Sequence, residues 1–210
     1  GHDSDNINKI NNKIFDQTFQ SHAFAGAASS FVSALDIALY DIRGKFLNEP
    51  ISTLLGGCLK RNIPVYATGL YYLEGFPIKP HLDEALGYVE KGFTGMKMKI
   101  GGLSINDDAK RVNQTREAIG PNIKLMIDAN EAYDKRTALE MSELVSEDKI
   151  TWFEEPCPSR DFHSNRYVTE NSKIPISGGE SLHTSLEFSR VISDNVFDIE
   201  LTPNEQDNFT

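Results

Sequence analysis

Gly95-Met96-Lys97-Met98-Lys99-Ile100-Gly101-Gly102 is the segment from which the architecture of this chain can be worked out. It is a short β-rich run closed by two glycines, and in a strand alternate side chains share a face. Lys97 and Lys99 therefore point one way, and Met96 and Met98 the other. A strand that ends on two ammonium groups is not an ordinary core strand, and its successors also end on charge. Ile123 to Asp128 closes on Asp128-Ala129-Asn130, with Asp128 and Asn130 on one face. Ile150 to Glu154 closes in Trp152-Phe153-Glu154-Glu155-Pro156, and Pro175 to Gly178 runs into Gly179-Glu180-Ser181. Two more β-rich runs, Pro64 to Thr68 and Phe197 to Leu201, flank these four.

Amphipathic segments lie between the runs: Leu82 to Lys91, Asn106 to Ile119, Lys135 to Val145, a weaker one from Phe162 to Glu170, and Ser185 to Ser193. Ser104 is placed to cap one of them and Gly120-Pro121 to stop it. Strand and helix in alternation predict βαβ units and a parallel sheet covered by helices. An open doubly wound sheet seldom ends so many consecutive strands in charged residues, whereas a β/α barrel gathers such groups at one mouth. The chain is therefore read as α/β, a TIM-type barrel with about six of its eight strands, hence incomplete.

Upstream, residues 1–24 are rich in Asn, Asp and Gln and suit a short helix or a loosely held leader. From Ala25 to Phe46 apolar residues (Phe31, Val32, Leu35, Leu39, Ile42) recur at helical spacing, which predicts one long, largely buried helix closed before Leu54-Leu55-Gly56-Gly57. The expected division is a helical segment over 1–60 and the partial barrel over 61–210.

With 210 residues, 39% hydrophobic and 25% charged, the chain is large enough for a real core. Its net charge of −10 disfavours nucleic acid and anionic membrane surfaces as partners, because both need clustered cations. A small molecule is the expected partner. Cys58 and Cys157 fit no disulfide or zinc spacing, and no run approaches the ~18 apolar residues of a membrane helix. A soluble, cytoplasmic protein is expected.

Two ammonium groups side by side, partly buried, favour the neutral amine on one of them and so create a base. Taken alone, Lys97 and Lys99 read equally as lysines snorkelling at a strand end. Each of Asp128, Glu154 and Glu180 alone reads equally as a helix-capping or solvated carboxylate. Together, three carboxylates at adjacent strand ends repel and need a hard cation; an all-oxygen set suits Mg²⁺ better than zinc. Tyr71, Tyr72 and Glu74 follow the first strand and are candidates to touch a ligand or to pack under the loop.

The run Ala34-Leu35-Asp36-Ile37-Ala38-Leu39-Tyr40-Asp41-Ile42-Arg43-Gly44-Lys45, the Leu54 to Gly57 turn and the four strand-end motifs together resemble the enolase superfamily, and within it the mandelate racemase subgroup. Spacing agrees: 29 residues from Lys99 to Asp128, then 26 to Glu154 and 26 to Glu180. The muconate-lactonizing and dipeptide-epimerase branch resembles Ala-Asp-Glu-Ser at the last motif, and Gly179 stands where that Asp would be. The resemblance implies Asp128, Glu154 and Glu180 as Mg²⁺ ligands and Lys99 as the base for the proton α to a carboxylate. It implies Lys97 as the cation beside that base and Asn130 as a substrate-orienting residue; Tyr71, from its place after the first strand, is read as a further substrate-binding residue. Superfamily chemistry of this kind pairs a Lys or His base with one or two Mg²⁺ ions that stabilise an enediolate. The implied activity is acid-sugar dehydration or racemisation, with a muconate-lactonizing or epimerase-type isomerase, a non-catalytic metal-binding or assembly remnant, and a Schiff-base aldolase using Lys99 as alternatives.

Where the family places an Asp after the sixth strand and a His on the seventh, this chain reads Leu201-Thr202-Pro203. The nearest carboxylates, Asp198 and Asp207, fit that register poorly. His163, beyond the Glu154-Glu155-Pro156 turn, is either a mouth residue or a solvated one. The helical segment resembles a remnant of the family's capping domain. The chain alone is expected to dehydrate no substrate and, with open barrel edges, to form homo-oligomers.

Overall fold

A computed structural model describes residues 6–7, 9–10, 12–14, 27–57 and 60–200. The chain divides into two compact units, Gly1–Ile63 and Pro64–Thr210. In the first, helix α1 (Ala27–Leu47) is followed by the single-turn α2 (Ile51–Leu54). The helix forms as predicted but is not largely buried. Phe31, Ile37, Ile42 and Phe46 are exposed, because the described part of this unit is too small to cover both faces of a 21-residue helix.

The second unit alternates strand and helix: β1 (Ala67–Gly69), α3 (Ile78–Glu90), β2 (Gly95–Lys99), α4 (Ile105–Ile119), β3 (Lys124–Asp128), α5 (Lys135–Leu144), β4 (Ile150–Glu154), α6 (Phe162–Asn171), β5 (Ile176–Gly178), α7 (Ser185–Ser193) and β6 (Ile199–Glu200). The six strands are all parallel and lie in the order β1-β2-β3-β4-β5-β6. A doubly wound sheet reverses direction partway; this one never does. With right-handed crossovers, that order lays every helix on one face and makes the sheet an arc of a β/α barrel.

Alternation along the strands explains both faces. Met96, Met98, Leu125, Ile127, Phe153 and Ile176 are fully buried and share one core with Ala85, Val112, Met141, Val168 and Val191, so every helix from α3 to α7 contributes. Removing a side chain such as Met98 or Phe153 would cost about 2–5 kcal/mol. Lys97, Met126 and Trp152 are also buried but stand outside that core, on the other face.

Helix caps bear out the sequence signals. Ser104 Oγ accepts from Asp107 N and Gly120 ends α4 at φ 74°. Helix α3 begins at Ile78, four residues before its predicted start, with Pro80 in its first turn. A proline there forfeits nothing, because the first amides of a helix have no intrahelical acceptor. Among the described residues β1 pairs only with β2 and β6 only with β5. The open edges lead us to expect concentration-dependent association in sedimentation equilibrium, and a monodisperse monomer at every concentration would overturn this.

Candidate active site

One register row crosses the sheet. Lys99 pairs with Asp128, Asp128 with Glu154 and Glu154 with Ser177, and partners in a parallel ladder project to the same side. Lys97 sits one layer deeper on that face, in register with Met126.

Lys97 Nζ donates to Glu154 Oε1 at 2.6 Å and lies 3.3 Å from Asp128 Oδ2. Lys99 Nζ donates to Asp128 Oδ2 and Asn130 Oδ1, each at 2.6 Å. The second oxygens are held too: Asn130 N donates to Asp128 Oδ1 at 2.9 Å and Trp152 Nε1 to Glu154 Oε2 at 3.2 Å. Both carboxylates are fully buried, while the Lys97 and Lys99 side chains are 6% and 17% exposed. The Tyr66 ring flanks Lys97 Nζ at 6.0 Å and meets Trp152 edge-on at 5.6 Å.

Burial, then the charge of Asp128, raises the Glu154 carboxyl above its ordinary range even with Lys97 against it. For Lys97, burial works toward the neutral amine, but Glu154 and Asp128 outweigh it and the net shift is upward. Crowding by Lys99 does not set the charge of Lys97; the carboxylates across the sheet dominate.

Glu180 is exposed, just past β5. Among the described residues no group of three His, Cys, Asp or Glu side chains is gathered closely enough to hold a metal ion. Its charge is nonetheless felt at the mouth. Glu155 is buried, and desolvation first, then Glu180 and Glu131, pushes its carboxyl up to about 7. Ser177 Oγ is buried with no partner, leaving an unused polar atom beside Glu154 in the row. The loops beyond β3, β4 and β5 stay zipped, with Ala129 N to Glu154 O, Glu131 N to Glu155 O and Glu155 N to Ser177 O at 2.8–3.0 Å. Asn130, Glu131 and Glu155 take positive φ to do so.

Other candidates part company. Tyr71 is 55% exposed on the β1–α3 loop. Asp198 lies at the start of β6, where its carboxylate accepts from Ile176 N at 2.8 Å; it stitches the entry end of the sheet and is not at the mouth. Asp207 and Cys58 lie outside the described residues. His163 is exposed on α6. Cys157 is free and buried, and burial pushes its thiol up to about 11.

Sequence reasoning missed a buried cluster behind the lysine strand. Arg111 of α4 donates to Asp108 Oδ1 (2.9 Å), Lys99 O (3.1 Å) and Leu70 O (3.4 Å), and its guanidinium lies 4.3 Å from the Tyr72 ring centroid. Tyr72 Oη donates to Asp108 Oδ1 at 2.6 Å, and Asp108 Oδ2 accepts from Gly101 N at 2.8 Å. Gly101 reaches that bond at φ 92°, with Ala132 Cβ 2.6 Å from where a side chain would begin. The only sequence signal was an Asp and an Arg three apart on one helix.

His81 of α3 completes the cluster. Arg111 Nη2 lies 3.2 Å from its Nδ1, and a guanidinium only donates, so Nδ1 accepts. Nε2–H therefore donates to Thr115 Oγ1 at 2.9 Å, and Thr115 donates onward to Arg111 O. Burial, then Arg111, lowers the imidazole to about 4, against a weaker pull upward from Glu84. The folded pKa lies below the unfolded value of about 6.5, so the unfolded chain binds more protons between them. Stability from neutral His81 is complete above 6.5 and is lost as pH falls toward 4. Urea denaturation at pH 7.5 and 5 should show the native chain losing about 2 kcal/mol more than His81→Gln. Equal losses would show that His81 is not the group responsible.

The arc of parallel strands with its row of lysines and carboxylates defines an enolase-type barrel. A family model described as "Enolase C-terminal domain-like" matches residues 81–203, and one described as "Mandelate racemase / muconate lactonizing enzyme, N-terminal domain" matches residues 1–56. The chain belongs to the mandelate racemase/muconate lactonizing enzyme family of the enolase superfamily.

Arabinonate dehydratase of Saccharolobus solfataricus is 37% identical over 174 residues, 83% of this chain and 46% of that protein. The crystal structure of the 3,6-anhydro-D-galactonate cycloisomerase from Zobellia galactanivorans superposes with a TM-score of 0.89 at 36% identity, covering 98% of this chain and 57% of that one. L-talarate/galactarate dehydratase from Salmonella typhimurium LT2, liganded with Mg and L-lyxarohydroxamate, gives 0.85 at 30% identity, covering 95% and 50%. The chain spans about half the length of the curated relatives it matches. No described helix is long and apolar enough to cross a membrane.

Proposed function

We propose that the chain carries the metal-and-base side of a Mg²⁺-dependent site that removes the proton α to the carboxylate of an acid sugar, giving an enediolate. The observation that carries this is the unequal placement of the two lysines in one row of carboxylates. Lys97 is clamped deep between Glu154 and Asp128 and stays charged, which suits it to hold developing negative charge and not to take up a proton. Lys99 stands one layer nearer the mouth and is the more exposed, which suits it to accept the α-proton. Asn130, bridged to Asp128 through Lys99, is placed to orient the substrate, and Tyr71 on the neighbouring loop to line its path.

The donor set fits Mg²⁺ in chemistry. It is all oxygen, and two of its carboxylates are buried side by side. Asp128 and Glu154 would hold the ion, with Glu180 as the third ligand from the next strand end. When bound, Mg²⁺ supplies Lewis-acid charge that offsets the dianion formed as the proton leaves. Dehydration and racemisation both start with this proton loss, so this side of the site serves either.

The test is α-proton exchange in D₂O, which needs a base but no leaving-group acid. A panel of aldonates and aldarates followed by ¹H NMR should show wash-out of the α-proton for at least one compound, dependent on added Mg²⁺ and abolished by chelation. Exchange with none of them, or exchange indifferent to chelator, overturns the reading.

A further inference from the structure

We propose, resting on the metal reading above, that Lys97 is a built-in counter-cation for the Asp128–Glu154 pair. Ammonium and divalent ion then exclude one another there, and metal binding releases Lys97 from both carboxylates.

Every oxygen of the pair already has a donor. Asp128 Oδ1 accepts from Asn130 N and Glu154 Oε2 from Trp152 Nε1. Of the remaining two, Glu154 Oε1 accepts from Lys97 at 2.6 Å and Asp128 Oδ2 from Lys99 at 2.6 Å, and the Lys97 ammonium also lies 3.3 Å from that Oδ2, between the two carboxylates. A cation that draws on both carboxylates has to take the place Lys97 fills. Charge points the same way. Two carboxylates and two ammonium groups make a neutral, buried cluster, and a dication added to it intact would leave an excess of buried positive charge even with Glu180 as a third ligand, which is costly. Of the two lysines, only Lys97 spans both carboxylates. Lys99 touches Asp128 alone and keeps Asn130 Oδ1 as a second acceptor.

The consequence is an order of events. Without metal the Lys97 ammonium is masked by protein carboxylates and offers nothing to an anionic substrate. With metal it is set free beside the ion, so the site acquires its affinity for a carboxylate only once it is loaded.

Two measurements on the full chain test this. In calorimetric titration with Mg²⁺, Lys97→Met should bind about tenfold more tightly or better, since a unit charge a few ångströms away has been removed, whereas Lys97→Arg should bind no more tightly than the native chain. Acylation with a lysine-directed ester, read by peptide mass spectrometry, should show Lys97 shielded in metal-free native protein and labelled several-fold faster at saturating Mg²⁺, with Lys124 as the exposed reference. Unchanged or weaker binding by Lys97→Met, or flat Lys97 labelling on Mg²⁺ addition, overturns the proposal. If Lys97→Met does not fold, the labelling result on the native chain decides alone. Failure of the underlying reading looks different: no Mg²⁺ binding by either protein, or undiminished binding in an Asp128→Asn/Glu154→Gln double variant, removes the metal assignment and this inference with it.

Discussion

Lys99→Met is expected to slow Mg²⁺-dependent α-proton exchange by about a thousandfold, within the usual range for losing a positioned general base. Binding of Mg²⁺ should not weaken, because the change removes a positive charge from Asp128 and no oxygen donor. Lys99→Arg separates the two roles a lysine plays here. A guanidinium restores the charge beside Asp128 and Asn130 but stays protonated, so exchange should fall about as far as in Lys99→Met. If Lys99→Arg kept more than roughly a tenth of the native exchange rate, Lys99 would be acting as a charge and the base would have to be sought elsewhere.

Arg111→Met should lower the unfolding free energy by about 3–5 kcal/mol, the range for breaking a buried pair by removing one partner. Asp108 is fully buried and would lose its only cation in the cluster. The carbonyls of Lys99 and Leu70 would each lose a donor, and Tyr72 the flat cation its ring lies against. Arg111→Lys should recover only part, since a point charge cannot serve Asp108, two carbonyls and an imidazole at once. The readout is the urea midpoint at an unchanged m-value, and a loss under 1 kcal/mol would mean that the cluster is held by its other bonds.

What was legible in the sequence follows from period and register. Lys97, Lys99, Asp128 and Glu154 were found because alternation assigns a face without any tertiary information, and β4 and α7 match their predicted bounds. The carboxylate partner of Lys97 was hidden for the complementary reason. The two lysines are adjacent in sequence, but the carboxylate that decides the matter, Glu154, lies 57 positions away. The Arg111 cluster was hidden in the same way, joining Leu70, Tyr72, His81 and Lys99 across loops of no fixed period. Glu180 stood out by spacing, yet spacing says nothing of exposure. Pro80, which the predicted start at Leu82 leaves outside the helix, sits where a helix has no bond to lose.

Among the described residues each strand of the sheet pairs only with the ones before and after it in sequence. Each such pair is joined by a crossover that contains a helix, so no strand contact is local, and parallel pairing of this kind orders slowly for a chain's size. The row of charges follows the chain, so each carboxylate in it meets an ammonium group that precedes it in sequence, Asp128 that of Lys99 and Glu154 that of Lys97.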